Sequence, residues 1–148
     1  MAYAEYVAGM AFSNAGLGMV HAMAHSLGGK YNLPHGICNA VLLPYVMRFN
    51  GKEKAIGKDF KKIAAALQIP NAGHLTENKA VAKSIEYIAH LSKEIGITQN
   101  LKELKADPKD FESLGTLACK DACMQDNPII PSKEEVVRVY EEAYRGSI

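Results

Sequence analysis

At 148 residues, with 48% hydrophobic and 22% charged side chains, the chain is long enough for one folded domain with a sizeable core and too apolar to be disordered. Its 17 basic and 16 acidic residues leave a formal charge of +1, which excludes the electrostatic footprint of a nucleic-acid or anionic-membrane partner. The longest apolar stretches, residues 40–47 and 62–69, are too short and too interrupted to span a bilayer, and no signal peptide opens the chain. Three cysteines are too few, and odd in number, for a disulfide framework, so a reducing cytoplasm is the expected compartment. Cys119 and Cys123 are not followed by the second ligand pair that a zinc finger needs.

In chain order, the pattern is helical almost throughout. Tyr3, Val7, Met10 and Ala11 already follow helical spacing. No capping residue or turn precedes them, which reads as a domain entered partway. Gly16-Leu17-Gly18 leads into an apolar helix from Met19 to Leu27, expected to end at Gly28-Gly29. A loop from Lys30 to Pro34 then reaches His35-Gly36, ahead of a helix through Val41, Leu42 and Val46. Ile56, Phe60, Ile63 and Leu67 share one face of a helix stopped by Pro70. Val81, Ile85, Ile88 and Ile95 repeat the pattern, with Gly96 placed just past the helix end. Asp107-Pro108 reads as an N-cap and first-turn proline before the stripe Phe111, Leu114, Ala118 and Ala122. Ser132 with Glu135 fits a capping box that opens a last helix with Val136, Tyr140 and Ala143 facing inward. No segment alternates with a period of two, and no glycine-rich phosphate-binding turn follows a strand. The expected fold is a single all-α domain over residues 1–148, without a nucleotide-binding unit of its own.

The chemistry concentrates in one place. Three of the five histidines, His21, His25 and His35, fall within fifteen residues. His21 and His25 stand i and i+4 on one helix, so both emerge on the same face with Cβ atoms about 6 Å apart. His35 is able to fold back towards them, with Gly36 expected to let the backbone pass closely. Neutral imidazoles are good ligands for Zn²⁺ and Fe²⁺. Two are too few for a tight catalytic site, however, and the same spacing also serves a plain structural pair. His74 and His90 read as solvated surface residues, and Met23 and Met47 as core filler.

Taken whole, residues 8–15 followed by Gly18-Met19-Val20-His21-Ala22-Met23-Ala24-His25-Ser26-Leu27-Gly28-Gly29 resemble the iron-containing (group III) alcohol dehydrogenase family. Tyr31-Asn32-Leu33-Pro34-His35-Gly36-Ile37-Cys38-Asn39-Ala40 continues that signature, and Asp121-Ala122-Cys123 with Asn127-Pro128 is similar to its segment ahead of the last helix. The spaced pattern H-x3-H-x9-H-G with its glycines is specific.

The resemblance implies the helical C-terminal domain of a dehydroquinate synthase-like, iron-containing alcohol dehydrogenase fold. In such an enzyme an N-terminal domain binds NAD(H) or NADP(H), and a metal, Fe²⁺ or Zn²⁺, lies in the cleft between domains. One Asp and three His hold the metal in that family. His21 and His35 match the last two, and the other two ligands would lie upstream of Met1. His25 matches a histidine that is not a ligand, beside the nicotinamide, which relays the alcohol proton. Phe12 and Cys123 match positions lining the substrate and nicotinamide cleft, although both also fit plain core packing. The implied reaction interconverts small primary alcohols or diols and aldehydes, with the metal as Lewis acid and direct hydride transfer to the nicotinamide. Implied partners are the small substrate, the nucleotide-binding domain and further copies of the enzyme; taken alone, the chain is expected to be an inactive fragment. Two positions depart from the family pattern, Ile129 where Arg is common and Tyr45 where His is common. The rivals are a free-standing helical scaffold without catalysis and a zinc-dependent glycerol dehydrogenase relative.

Overall fold

A computed structural model describes residues 1–97 and 100–148. Among them are seven α-helices: α1 (Ala2–Ala15), α2 (Met19–Tyr31), α3 (His35–Gly51), α4 (Lys54–Ala66), α5 (Glu77–Glu94), α6 (Phe111–Lys120) and α7 (Lys133–Arg145). Three 3₁₀ turns join them, at Ala72–His74, Pro108–Asp110 and Ala122–Asp126, and no strand occurs among the described residues. No described helix is long and apolar enough to cross a membrane.

The main core lies where α2 packs against α3 and α6, and α7 closes over α3 and α6. Met23, Leu27, Leu42, Leu114, Val136 and Tyr140 are fully buried there. A smaller cluster of Phe60, Ala64, Ala80, Val81 and Ile85 joins α4 to α5. Close helix contact relies on small residues: a Cβ on Gly51 would meet Val81 Cγ1 at 2.5 Å, and one on Gly115 would meet Val137 Cγ2 at 2.8 Å.

The capping box forms as the spacing requires. Ser132 Oγ accepts from the Glu135 N–H, and Glu135 accepts in return from the Ser132 N–H at 2.8 Å. Behind it, Val136, Tyr140 and Ala143 are wholly buried. Ser132→Ala is expected to cost about 1 kcal/mol, the usual worth of a lost N-cap, and a urea titration measures it. Asp107 likewise caps the turn at Pro108–Asp110 by accepting from the Lys109 N–H at 3.0 Å.

Several expectations need correction. Gly28-Gly29 does not end α2, which runs on to Tyr31 and stops at Asn32, a left-handed residue (φ 52) whose N–H reaches the Gly28 carbonyl. Gly28 serves contact instead, because a Cβ there would crowd the Leu33 carbonyl at 3.3 Å and touch Cys38 Sγ at 3.7 Å. The loop shrinks to three residues, 32–34, and His35 opens α3 directly. Gly36 permits no close approach, since no atom lies within 4 Å of its would-be Cβ. Ile63 and Ile95 are exposed, although their spacing suggested an inward face. Ala122 is not on the α6 stripe, because Asp121 breaks that helix and caps the next turn. The helix of Tyr3, Val7, Met10 and Ala11 forms as α1, yet none of its residues is buried.

Candidate functional site

The start of α2 is built by residues far away in sequence. Gly18 has φ +74, which favours glycine, and its would-be Cβ lies 3.0 Å from Asn127 Oδ1. That same oxygen accepts from the Met19 N–H at 3.1 Å and so caps a helix more than a hundred residues upstream. The rest of the Asn127 amide is also engaged. Nδ2 donates to Asn50 Oδ1 at 2.8 Å and to the Ile129 carbonyl at 2.7 Å, and Asn50 returns a bond at 3.2 Å. Asn127 is buried, so Asn127→Ala strands these partners and is expected to cost about 2 kcal/mol or more. Chemical denaturation measures the loss, and a value near zero would falsify this keystone role.

On the helix thus anchored, His21 and His25 lie one turn apart with ring centroids 6.1 Å from each other. His35, at the first turn of α3, completes the group at 5.2 Å from both. Phe12, half-exposed near the end of α1, sits 6.4 Å from the His21 ring. Cys123 adjoins His25 across the turn after α6: among the described residues, His25, Asp121 and Cys123 each offer a ligand atom within 4.8 Å of the others. The fold thus gathers Phe12, His21, His25, His35 and Cys123 into one cluster. His74 and His90 are exposed, and His90 Nδ1 lies 3.5 Å from Glu94 on its own helix.

The three rings differ in environment. Burial, and then the neighbouring His35 and His25 rings, push His21 below the usual imidazole range; the Leu17 carbonyl and Asp121 offset part of this. His21 is therefore neutral at neutral pH. Its Nδ1 is shut away with no partner in hydrogen-bond geometry. His25 Nδ1 stands 2.9 Å from Asp121 Oδ2, with the ring's side chain 41% exposed. His35 Nε2 accepts from Asn39 Nδ2 at 3.0 Å, and the same amide donates to the His35 carbonyl at 3.2 Å.

Two donor sets compete in this small space. His21 and His35 supply imidazoles of the kind Fe²⁺ and Zn²⁺ take, and because Nδ1 of His21 is shut away, its other nitrogen is the one a ligand would reach. Occupation of His35 Nε2 would displace the Asn39 amide. The His25, Asp121 and Cys123 set is tighter but already satisfied. His25 and Asp121 bond each other, and burial, with Asp121 next, pushes the Cys123 thiol up so that it keeps its proton. Asp121 and Asn39 are site members that sequence spacing did not single out. Asn39, at i+4 from His35, was open to the helical spacing rule; Asp121 lies 96 residues from His25 and offered no local signal.

The chain is similar to known proteins over nearly all of its length. The sequence model of the Fe-containing alcohol dehydrogenase family, C-terminal, matches residues 1–144. Alcohol dehydrogenase 4 of Saccharomyces cerevisiae is 43% identical over 148 residues, covering 97% of this chain and 36% of the relative. The 1,3-propanediol dehydrogenase of Klebsiella pneumoniae is 44% identical over 144 residues, again 97% of this chain and 36% of the relative. Among solved structures, an alcohol dehydrogenase from Oenococcus oeni superposes with a TM-score of 0.90 at 42% identity, over 95% of this chain and 36% of that one. The chain thus spans little more than a third of the length of these relatives.

Proposed function

The chain belongs to the Fe-containing alcohol dehydrogenase family, and from that premise we propose that it is the metal-binding helical portion of an NAD(P)-dependent enzyme interconverting small primary alcohols or diols with aldehydes. The observation that carries this reading is the convergence of His21, His25 and His35, from two helices, into ring contacts of 5.2–6.1 Å.

In this reading His21 and His35 would hold Fe²⁺ or Zn²⁺ through imidazole nitrogens, and the other ligands and most of the nicotinamide site would come from a partner nucleotide-binding domain. When bound, the ion supplies Lewis acidity that makes an alcohol proton easier to remove near neutral pH. The chain's own residues do the rest. His21 is kept neutral by burial and so has a lone pair to give. His25, part-exposed beside the other two rings, accepts the alcohol proton and hands it to solvent. Phe12 and Cys123 flank the rings and restrict the size of substrate that can approach. A bound nicotinamide would supply the hydride-accepting chemistry, which is the cofactor's own.

The test joins this chain to the nucleotide-binding portion of the Oenococcus oeni relative and assays both NAD⁺ and NADP⁺ against short alcohols and diols. Turnover by the joined, metal-loaded protein is expected, with none by the 148-residue chain alone above its His25→Ala control. A folded, metal-loaded joined protein that oxidises no short alcohol overturns the reading.

A further inference from the structure

Asp121 has two carboxylate oxygens, and the fold uses them for different things. Oδ1 accepts the Cys123 N–H at 2.9 Å, the bond that ends α6 and starts the following 3₁₀ turn. That bond is all the backbone asks of this residue. Oδ2 is surplus to capping, and it lies 2.9 Å from His25 Nδ1, on a helix 96 residues earlier in the chain. The side chains are 22% exposed for Asp121 and 41% for His25, so solvent screens the charge, and it is the geometry of the bond that orients the ring. Burial alone would raise the Asp121 carboxyl; the bonds from the His25 ring and the Cys123 N–H outweigh it and hold the group below the usual carboxylate range. An ionised carboxylate carries only lone pairs, so the hydrogen between the two groups belongs to the ring. Its place on Nδ1 leaves the lone pair of His25 on Nε2.

We infer that Asp121 is a positioning residue that fixes His25 in its Nδ1–H tautomer and presents Nε2 as the proton-accepting atom of the site. The inference rests on the reading of His25 as proton relay. The proton balance is simple. An alcohol O–H bond breaks with its electron pair left on oxygen, and the proton forms a new N–H bond at Nε2. The imidazolium then carries hydrogen on both nitrogens against an Asp121 that stays ionised. Loss of the Nε2 proton to solvent restores the starting tautomer, so each cycle begins with the same nitrogen free. A ring without the carboxylate would divide its population between two tautomers, only one of which leaves the lone pair on Nε2.

Nitrogen-15 spectra of the imidazole rings test this in the 148-residue chain, with a chelator present and at a pH where His25 is neutral. The unmodified chain is expected to carry the His25 hydrogen on Nδ1. In Asp121→Asn the amide oxygen still caps Cys123, while the amide nitrogen donates to Nδ1, so the hydrogen should move to Nε2. In Asp121→Ala the Nδ1 preference should be lost. Hydrogen on Nε2 in the unmodified chain, or retained on Nδ1 in Asp121→Asn, overturns the assignment. The unmodified spectrum decides even if neither variant folds. Hydrogen on Nδ1 supports the assignment whether or not the joined enzyme turns over alcohol, and hydrogen on Nε2 refutes it even in an active enzyme.

Discussion

Replacing His21 or His35 by alanine in the metal-loaded enzyme is expected to remove bound metal and activity together, whereas His25→Ala should keep its metal and lose roughly 10²-fold or more of the rate. The division follows from what each ring is already doing. His21 is neutral and half-buried, with its Nδ1 shut away. His35 holds only an exchangeable amide, that of Asn39. Both have lone pairs to give. His25 has one nitrogen committed to Asp121, and it sits one helical turn from His21, close enough to share a substrate without sharing a ligand role. The rival arrangement is concrete, because His25, Asp121 and Cys123 form the tighter group of potential ligand atoms. Metal analysis beside kinetics on the three variants separates the two. If His25→Ala loses its metal while His21→Ala retains it, the ligands are those of the tighter group and the roles of His21 and His25 are reversed.

Tyr140→Ala should destabilise the fold by about 3–5 kcal/mol, the usual range for removing a fully buried aromatic ring. Tyr140 has no exposed surface and stacks on Phe111 with centroids 5.7 Å apart. Its hydroxyl donates to the Met23 carbonyl at 2.7 Å. Met23 lies between His21 and His25 on α2, so this ring ties α7 to the back of the helix that bears both histidines. Burial pushes the Tyr140 hydroxyl far up, so it remains a donor throughout the working pH range. Tyr140→Phe keeps the ring and loses only the hydrogen bond, a change of about 1 kcal/mol. Urea titrations of the two variants should therefore differ by several-fold in their loss of stability. Equal losses would mean that the hydroxyl, rather than ring packing, secures α7.

Much of the local structure is legible from residue spacing. The Ser132 capping box, the Asp107 cap and the inward positions on α7 depend on residues three or four apart, and helix geometry alone sets those relations. The shared face of His21 and His25 is of the same kind. Where spacing misled, distant parts of the chain decided the outcome. Gly28-Gly29 has the composition of a helix stop, but the packing of Cys38 and the Leu33 carbonyl against Gly28 uses the missing side chain, and α2 runs through it. Ile63 and Ile95 have the spacing of buried residues, yet 38% and 64% of them stays exposed because the packing of neighbouring elements falls short of covering them. Periodicity says which residues share a face, not whether anything packs on it.

The sequence by itself determined an all-helical chain, the register of its histidine pair and the family to which its spaced H-x3-H-x9-H-G pattern belongs. Only the tertiary structure decided that Asn127 caps α2 and that Asp121 meets His25, contacts made across 108 and 96 residues. The physical reason is the reach of the forces involved. Backbone hydrogen bonds and steric limits act within a turn of helix and leave a spacing that can be read directly. Which helix faces which is settled by burying all the apolar faces at once, and the polar pairs at the site are placed by that shared packing.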